Sequence, residues 1–387
     1  MPSKSVMTLD DILTPSRNNF GAIRVALALA VVISHSFYLV SGLALVTEPV
    51  HAWTGYTLGQ HAVQLFFVLS GILVAQSLVR GGLPAYAKAR ALRILPGLVV
   101  CVLITALVLG PLVSSTPGAQ YFADGALYRY ILDTVSLKTG MAPLPGVFDE
   151  NPAAGVVNSS LWTLKYEVIC YVLLGVIGAL ALRSGVARAA GWTALAVFVV
   201  VALYDRPALV EGNTALDQVQ YFALFFGTGV LAYALRRHIP LHAGGVALAF
   251  ALLALTNKTA FAEFGHALGL GYAMLWLGSL EAGRVRAFTN DNDFSYGVYI
   301  YGVPVGQTLL VVWPTIPVAA LIFATATISL VLAAVSWRLV ERPALALRHR
   351  SAGRLANRAA TTAEGPVTRL IDAGTQPIAR RAPRIKA

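Results

Sequence analysis

This sequence predicts an all-α, polytopic integral membrane fold of about ten transmembrane helices with both termini cytoplasmic. Three observations predict it. The chain of 387 residues is 57% hydrophobic and only 12% charged, a balance that suits membrane spans and not a soluble domain. Apolar runs close to the roughly 20 residues a span needs recur along its length. Lys and Arg gather in alternate connections between those runs, the asymmetry that orients membrane helices.

The same pattern excludes other classes. A net charge of +11 invites a nucleic-acid reading, but the basic residues sit in short connections and in the tail, as cytoplasmic loops require. No nucleic-acid partner is expected; the lipid bilayer is. Cys101 and Cys170 lie inside apolar runs, with neither a disulfide framework nor metal-ligand spacing, so no metal is expected. The first apolar run is too long for a cleavable signal peptide, and no small-residue cleavage site follows it.

In chain order, residues 1–18 are polar, carry Lys4 and Arg17, and form a cytoplasmic N-terminal segment. A transmembrane domain over 19–345 follows. Its expected spans are 20–40, 61–79, 92–114, 161–183, 189–204, 219–236, 243–257, 264–281, 294–312 and 315–339. The fifth, seventh and eighth are short or weakly bounded, which leaves nine or eleven spans open. The longest connection, about 115–160, holds Pro117, Pro143, Pro145 and Pro152 and reads as an ordered loop over the bundle mouth. Residues 346–387, rich in Arg, Ala and Pro, read as a basic, disordered cytoplasmic tail near the anionic inner leaflet.

Orientation follows from the basic residues. One set of connections holds Lys4 and Arg17; Arg80, Lys88, Arg90 and Arg93; Arg183 and Arg188; Arg236 and Arg237; Arg284 and Arg286; and the tail from Arg338. The opposite set holds Arg129, Lys138, Arg206 and Lys258 and is poor by comparison. The first set faces the cytoplasm.

Within the first span lie two ionisable residues, Arg24 near its start and His35 well inside. Ionisable groups in hydrocarbon are expensive and mark function by default. Eleven helical residues fall about 20° beyond three whole turns, so both side chains leave one face, roughly 16 Å apart along the axis. The expectation is a thin polar channel joining a cation near the inner surface to an imidazole nearer the outer one. A structure in which the two side chains face lipid, or open onto separate cavities, would rule out that channel.

Each candidate has a plainer reading. A buried histidine is usually a satisfied hydrogen-bonding group, but in hydrocarbon the balance moves toward catalysis. Its natural role is general base toward a hydroxyl, because neutral imidazole is available near neutral pH. Glu167, one to two turns below the outer surface, reads either as a partner that orients or charges His35 or as a helix-end ion pair. Residues two apart on a helix do not face each other, which weakens pairing with Lys165. Trp162 reads as an interfacial aromatic or a substrate contact. Arg90 and Arg93 share a helix face at the cytoplasmic surface. They serve either positive-inside anchoring or a phosphate clamp, since guanidinium pairs suit phosphate oxygens. Asp293 reads as a helix N-cap. Ser295, Tyr296 and Tyr299 bring hydroxyls to packing or to a polar cavity. Pro343 reads as a helix stop.

Six stretches then carry a resemblance. They are Arg24 and His35 with ten residues between, Phe66-Phe67-Val68-Leu69-Ser70-Gly71, Arg90-Ala91-Leu92-Arg93-Ile94-Leu95-Pro96, Ser160-Leu161-Trp162-Thr163-Leu164 with Glu167, Ser295-Tyr296-Gly297-Val298-Tyr299, and Glu341-Arg342-Pro343. In this order, over about residues 18–345, the chain resembles the membrane acyltransferase-3 family of multi-pass bacterial O-acyltransferases. The resemblance implies ten helices, acetyl-CoA or another acyl-CoA used from the cytoplasm, and an acceptor hydroxyl modified on the outer side, on a surface or periplasmic glycan or another acceptor. It implies His35 as the essential catalytic residue, with Arg24, Arg90 and Arg93 at the donor. Many members carry histidine at the position of Gly302, so a role for a second imidazole does not carry over.

Two functions from different classes are therefore expected in order. The first is a transmembrane O-acyltransferase of the inner (plasma) membrane. In it His35 and Glu167 are catalytic, Arg24, Arg90 and Arg93 bind the donor, and Trp162, Ser295, Tyr296 and Tyr299 contact substrate. A covalent acyl-histidine relay is a variant. The second is a secondary transporter or flippase for a polar or lipid-linked substrate, since intramembrane Arg, His and Glu also serve proton relays. The clear internal repeats and paired broken helices such carriers often show are not evident in the sequence. A non-catalytic scaffold would not need a buried His and Arg on one face.

Overall fold

The computed structural model describes residues 7–42, 48–181 and 214–348. Among them the chain is helical, without a strand element. The principal helices are α1 (Phe20–Ser41), α2 (Leu58–Ile104), α3 (Gly125–Val135), α4 (Trp162–Ala181), α5 (Ala215–Ala234), α6 (Ala243–Thr256), α7 (Gly271–Ser279), α8 (Ser295–Val312) and α9 (Val318–Ser336). Four stretches are long and apolar enough to cross a bilayer: Phe20–Ser41, Leu58–Val113, Ser159–Ala179 and Val318–Arg348. The expected fifth span, 189–204, lies outside the described residues, as do the tail from 349 and Lys4.

Local chemistry sets the helix limits. The Asn18 side-chain oxygen accepts the Phe20 N–H at 3.1 Å at the start of α1. Gly42, left-handed at φ 63°, ends it. A capping box between Thr57 and Gln60 opens α2. The spans expected at 61–79 and 92–114 are one element, broken at Gly82, whose φ of 68° and ψ of 174° turn the chain. Its second half starts earlier than the apolar run, because Lys88 and Arg90 sit on helical turns that hydropathy alone does not mark.

α2 is the axis of the bundle and packs along α5. Gly71 and Gly229 make that approach possible. A Cβ on Gly71 would lie 2.1 Å from the Phe226 carbonyl oxygen, and one on Gly229 would lie 2.0 Å from that of Val68. Small residues at such a crossing bring helix backbones together where lipid offers no hydrophobic drive. Leu69, Ile72, Leu98, Phe222 and Phe225 fill the core beside it. α1 packs against α2 and α8, and α8 against α9.

Three expectations change. The long connection is more than a loop over the mouth: Met141 and Ser159 line the cavity that holds His35, and part of the segment is helical. Within it, Leu127, Tyr130, Ile131 and Thr134 form one face of α3, and that face joins the core. The Tyr121 hydroxyl donates to the Ala106 carbonyl at 2.7 Å, tying the segment along α2. The N-terminal segment is not merely polar. Leu9, Ile12 and Leu13 are buried, and the Leu9 N–H donates to the Ile239 carbonyl at 3.0 Å. Pro343 does not stop the last helix, which runs on to Arg348. The wide turn Trp337–Glu341 precedes it. Proline near the first turn of the following helical stretch lacks only an N–H that has no obligatory partner there.

The basic connections meet at one end of the bundle. Arg236 pairs with Asp10 at 2.7 Å, Arg286 donates to Asn19 at 2.9 Å, and Lys88 to the Leu347 carbonyl at 2.9 Å. At the other end, the Tyr56 hydroxyl donates to Glu263 at 2.6 Å, joining two connections that are poor in cations.

Candidate active site

Two cavities lie in series inside the bundle. The inner one, about 110 Å³, is lined by Arg24 of α1, Ser70, Arg90 and Arg93 of α2, Glu167 and Tyr171 of α4, and Ser295, Tyr296 and Tyr299 of α8. Its charges are organised by Asp293, directly before α8. One oxygen of Asp293 takes Arg24 at 3.1 Å and Arg93 at 2.8 Å. The other accepts the Ser295 hydroxyl at 2.6 Å and the Ser295 N–H at 3.3 Å. The expected cap is thus present in part, and the same carboxylate joins α1, α2 and α8. Burial works against its charge, but Arg24 and Arg93, helped by Ser295, outweigh burial and hold its pKa at about 2.

The arginines are not fully spent. The Nε groups of Arg24 and Arg90 are buried and have no hydrogen-bond partner among the described residues, so both remain available to an anion. Arg90 lies over the Tyr171 ring and Arg93 over the Tyr296 ring, at 5.7 and 5.6 Å from the centroids. The Tyr171 hydroxyl donates to Glu167 one helical turn away and meets the Ser70 hydroxyl at 3.0 Å.

The outer cavity is larger, about 410 Å³. His35 lines it, with Tyr38, Tyr56, Gln60, Trp162 and Tyr221 among its walls. His35 Nδ1 lies 3.3 Å from the Ser160 hydroxyl, its partner among the described residues. Ser160 is not part of the cavity wall, so it stands behind the ring while the ring faces the space. The turn of α1 that carries His35 is fixed from outside. The Ser34 hydroxyl donates to Glu48 at 2.7 Å, and Glu48 also accepts the Leu58 N–H at the start of α2.

The structure therefore confirms one geometric expectation and corrects two. Arg24 and His35 do face inward from one helix. They open onto two cavities, however, not one continuous channel, and the cavities touch only where Val63, Thr163 and Tyr299 line both. Glu167 is not beside His35: it lies in the inner cavity with the arginines, and Ser160 takes the place expected for it. Position along a helix sets a depth but not which side of the helix a group leaves. Of the expected substrate contacts, Ser295, Tyr296 and Tyr299 line the inner cavity, and Trp162 and Tyr299 the outer one. At Gly302 an added Cβ would sit 3.0 Å from a Val32 side-chain methyl of α1, a tight contact to which Val32 would have to yield.

Sequence reasoning gave no role to Ser160, Ser70, Tyr171 or Glu48. Ser160 stood inside a quoted motif. Tyr171 stood one turn beyond Glu167, a spacing that could have flagged it. Nothing local marks Glu48.

The comparisons with known proteins agree with this architecture. The family model described as an acyltransferase domain, acyltransferase 3, matches residues 17–338. An O-acetyl transferase of Shigella phage Sf6 is 28% identical over 340 residues, 84% of this chain and 95% of the phage protein. Nodulation protein 10 of Rhizobium leguminosarum bv. viciae is 26% identical over 375 residues, 86% of this chain and 94% of its own. No solved structure matches. A match over that span, on a helical bundle with membrane-length apolar helices, places the chain in the membrane acyltransferase-3 family, as an O-acyltransferase that transfers groups other than aminoacyl groups.

Proposed function

We propose that the protein moves an acyl group, acetyl in the first instance, from cytoplasmic acyl-CoA to a hydroxyl of a surface or periplasmic glycan, across the inner membrane. The observation that carries this reading is the division of labour on α1. Arg24 opens onto a small cavity rich in cations, His35 onto a larger one rich in aromatic and amide side chains, and the two cavities touch.

On this reading the end of the bundle where the basic connections meet faces the cytoplasm, and about ten spans surround the two cavities. The phosphates of CoA rest on Arg24, Arg90 and Arg93, whose guanidinium groups suit phosphate oxygens. The pantetheine arm is thin and extended and reaches outward. In the outer cavity, Trp162, Tyr38, Tyr56 and Tyr221 offer flat faces to a sugar ring, and Gln60 and Gln218 offer polar edges. The name of the phage relative supports acetyl as the group moved.

The chemistry needs one base. With Nδ1–H donating to Ser160, the Nε2 lone pair of His35 takes the proton of the acceptor hydroxyl. The hydroxyl oxygen attacks the thioester carbonyl carbon, the C–S bond breaks, and the proton passes to the departing CoA sulfur. Glu167 acts in the inner cavity, where it holds Tyr171 beside the donor.

Mass spectrometry of surface glycans tests the reading. Cells making the wild-type chain should carry an added acyl mass, and cells making His35→Ala should not. An acyl mass in both, or in neither, would contradict the proposal.

A further inference from the structure

We propose that the junction of the two cavities gauges the acyl group, admitting acetyl-sized donors and refusing longer ones. Three helices each supply one residue to this ring: Val63 from α2, Thr163 from α4 and Tyr299 from α8. Thr163 and Tyr299 are almost fully buried. Their hydroxyls are hydrogen-bonded to each other across the junction. Phe66 meets the Tyr299 ring edge-to-face at 6.1 Å between centroids and supports it from the α2 side. The inference rests on the donor route proposed above.

Hydrogen-bond partners and size both favour a short acyl group at this junction. A buried hydroxyl that loses its partner carries a penalty unless another polar group replaces it. A hydroxyl both donates and accepts, so when the junction opens, Thr163 and Tyr299 can turn to the amides and the thioester carbonyl of a pantetheine arm. A hydrocarbon tail offers them nothing. The acyl group also leads the thread: it is the first part of the donor to meet Val63, which closes the third side with two methyl groups. Each added methylene must then pass a ring that has one apolar wall and two hydroxyls. The inner cavity, about 110 Å³, leaves little room to fold a tail back beside the arginines.

The test is the ratio of kcat/KM for butyryl-CoA to that for acetyl-CoA, measured with the full-length protein in proteoliposomes. Val63→Ala removes two methyl groups from the ring and should raise the ratio about 10-fold, within the range by which pockets discriminate single methylenes. Tyr299→Phe keeps the ring and frees Thr163 and should also raise it, by a smaller factor. Val63→Ile adds one methylene, keeps the helix intact, and should lower the ratio, so the inference stands or falls even if the truncation fails to fold. CoA binding to the two Val63 variants should stay close to wild type. Intact acetyl transfer with an unchanged ratio in Val63→Ile and Tyr299→Phe overturns the gauge and leaves the donor route standing. Wild-type protein that uses butyryl-CoA as well as acetyl-CoA also overturns it. Protein that binds no CoA at all would instead sink the donor route.

Discussion

The inner and outer cavities are built from the same helices but solve opposite problems. The inner one holds like charges together: three arginines converge, and Asp293 draws two of them to one carboxylate oxygen. The outer one isolates a single ionisable ring, with a hydroxyl behind it and aromatic walls around it. A phosphate-bearing donor needs the first arrangement and a general base the second. On the proposed reading, the functional unit on α1 is the register between Arg24 and His35, about three turns, and the comparison shows one helix face opening onto two different cavities.

Variants on the two sides should therefore fail differently. His35→Ala should lower kcat by at least about 100-fold, the smaller end of what a positioned base contributes, and leave donor KM nearly unchanged. A matching rise in KM would blur the division. Arg90→Ala with Arg93→Ala should weaken CoA binding roughly 10- to 100-fold, as loss of charge-assisted hydrogen bonds implies; calorimetry with CoA reads it, and wild-type affinity would remove the clamp. Asp293→Asn should destabilise the fold by about 2 kcal/mol, because two partly buried guanidinium groups lose their shared counter-charge while Arg93 keeps only the longer contact to Glu341 at 3.8 Å. Thermal unfolding in detergent checks it. Ser160→Ala should lower kcat about 5-fold, one hydrogen bond's worth, and leave CoA affinity alone.

The smallest effect concerns pH. The Asp293 carboxyl is held at about 2 in the folded chain, below its ordinary value of about 3.9. A depressed value means the carboxylate stabilises the fold fully above about pH 4 and loses that contribution as pH falls through about 2. Donor binding from about pH 5 to 8 should therefore show no step from Asp293; a step that vanishes in Asp293→Asn would contradict the ion network.

Much of this was legible in the sequence, because hydropathy and helical period are local. The limits of α1, α4 and α8 followed the apolar runs, and the shared face of Arg24 and His35 followed from their spacing alone. What was not legible depends on which helices meet. Glu167 was assigned to His35 by depth, but its side of α4 turns to Ser70 and Tyr171. Asp293 showed its cap role through its place before a helix, while its ion pairs reach α1 and α2 over more than 190 residues of chain. The face of α3 through Leu127, Tyr130, Ile131 and Thr134 was present in the sequence as a period, hidden in a stretch that the prolines marked as loop. The expected open channel was the main overreach: a common face fixes direction, and only the packing of Val63, Thr163 and Tyr299 decides whether the path is clear.

Sidedness tests the central claim most directly. Protein inserted in sealed liposomes is given acyl-CoA on one face and the acceptor on the other, with insertion direction read from protease access to the chain end. The account predicts transfer when the donor is on the face of Arg24 and Arg93 and the acceptor on the opposite face, and none with the two exchanged. Equal transfer with both substrates confined to one face would contradict it.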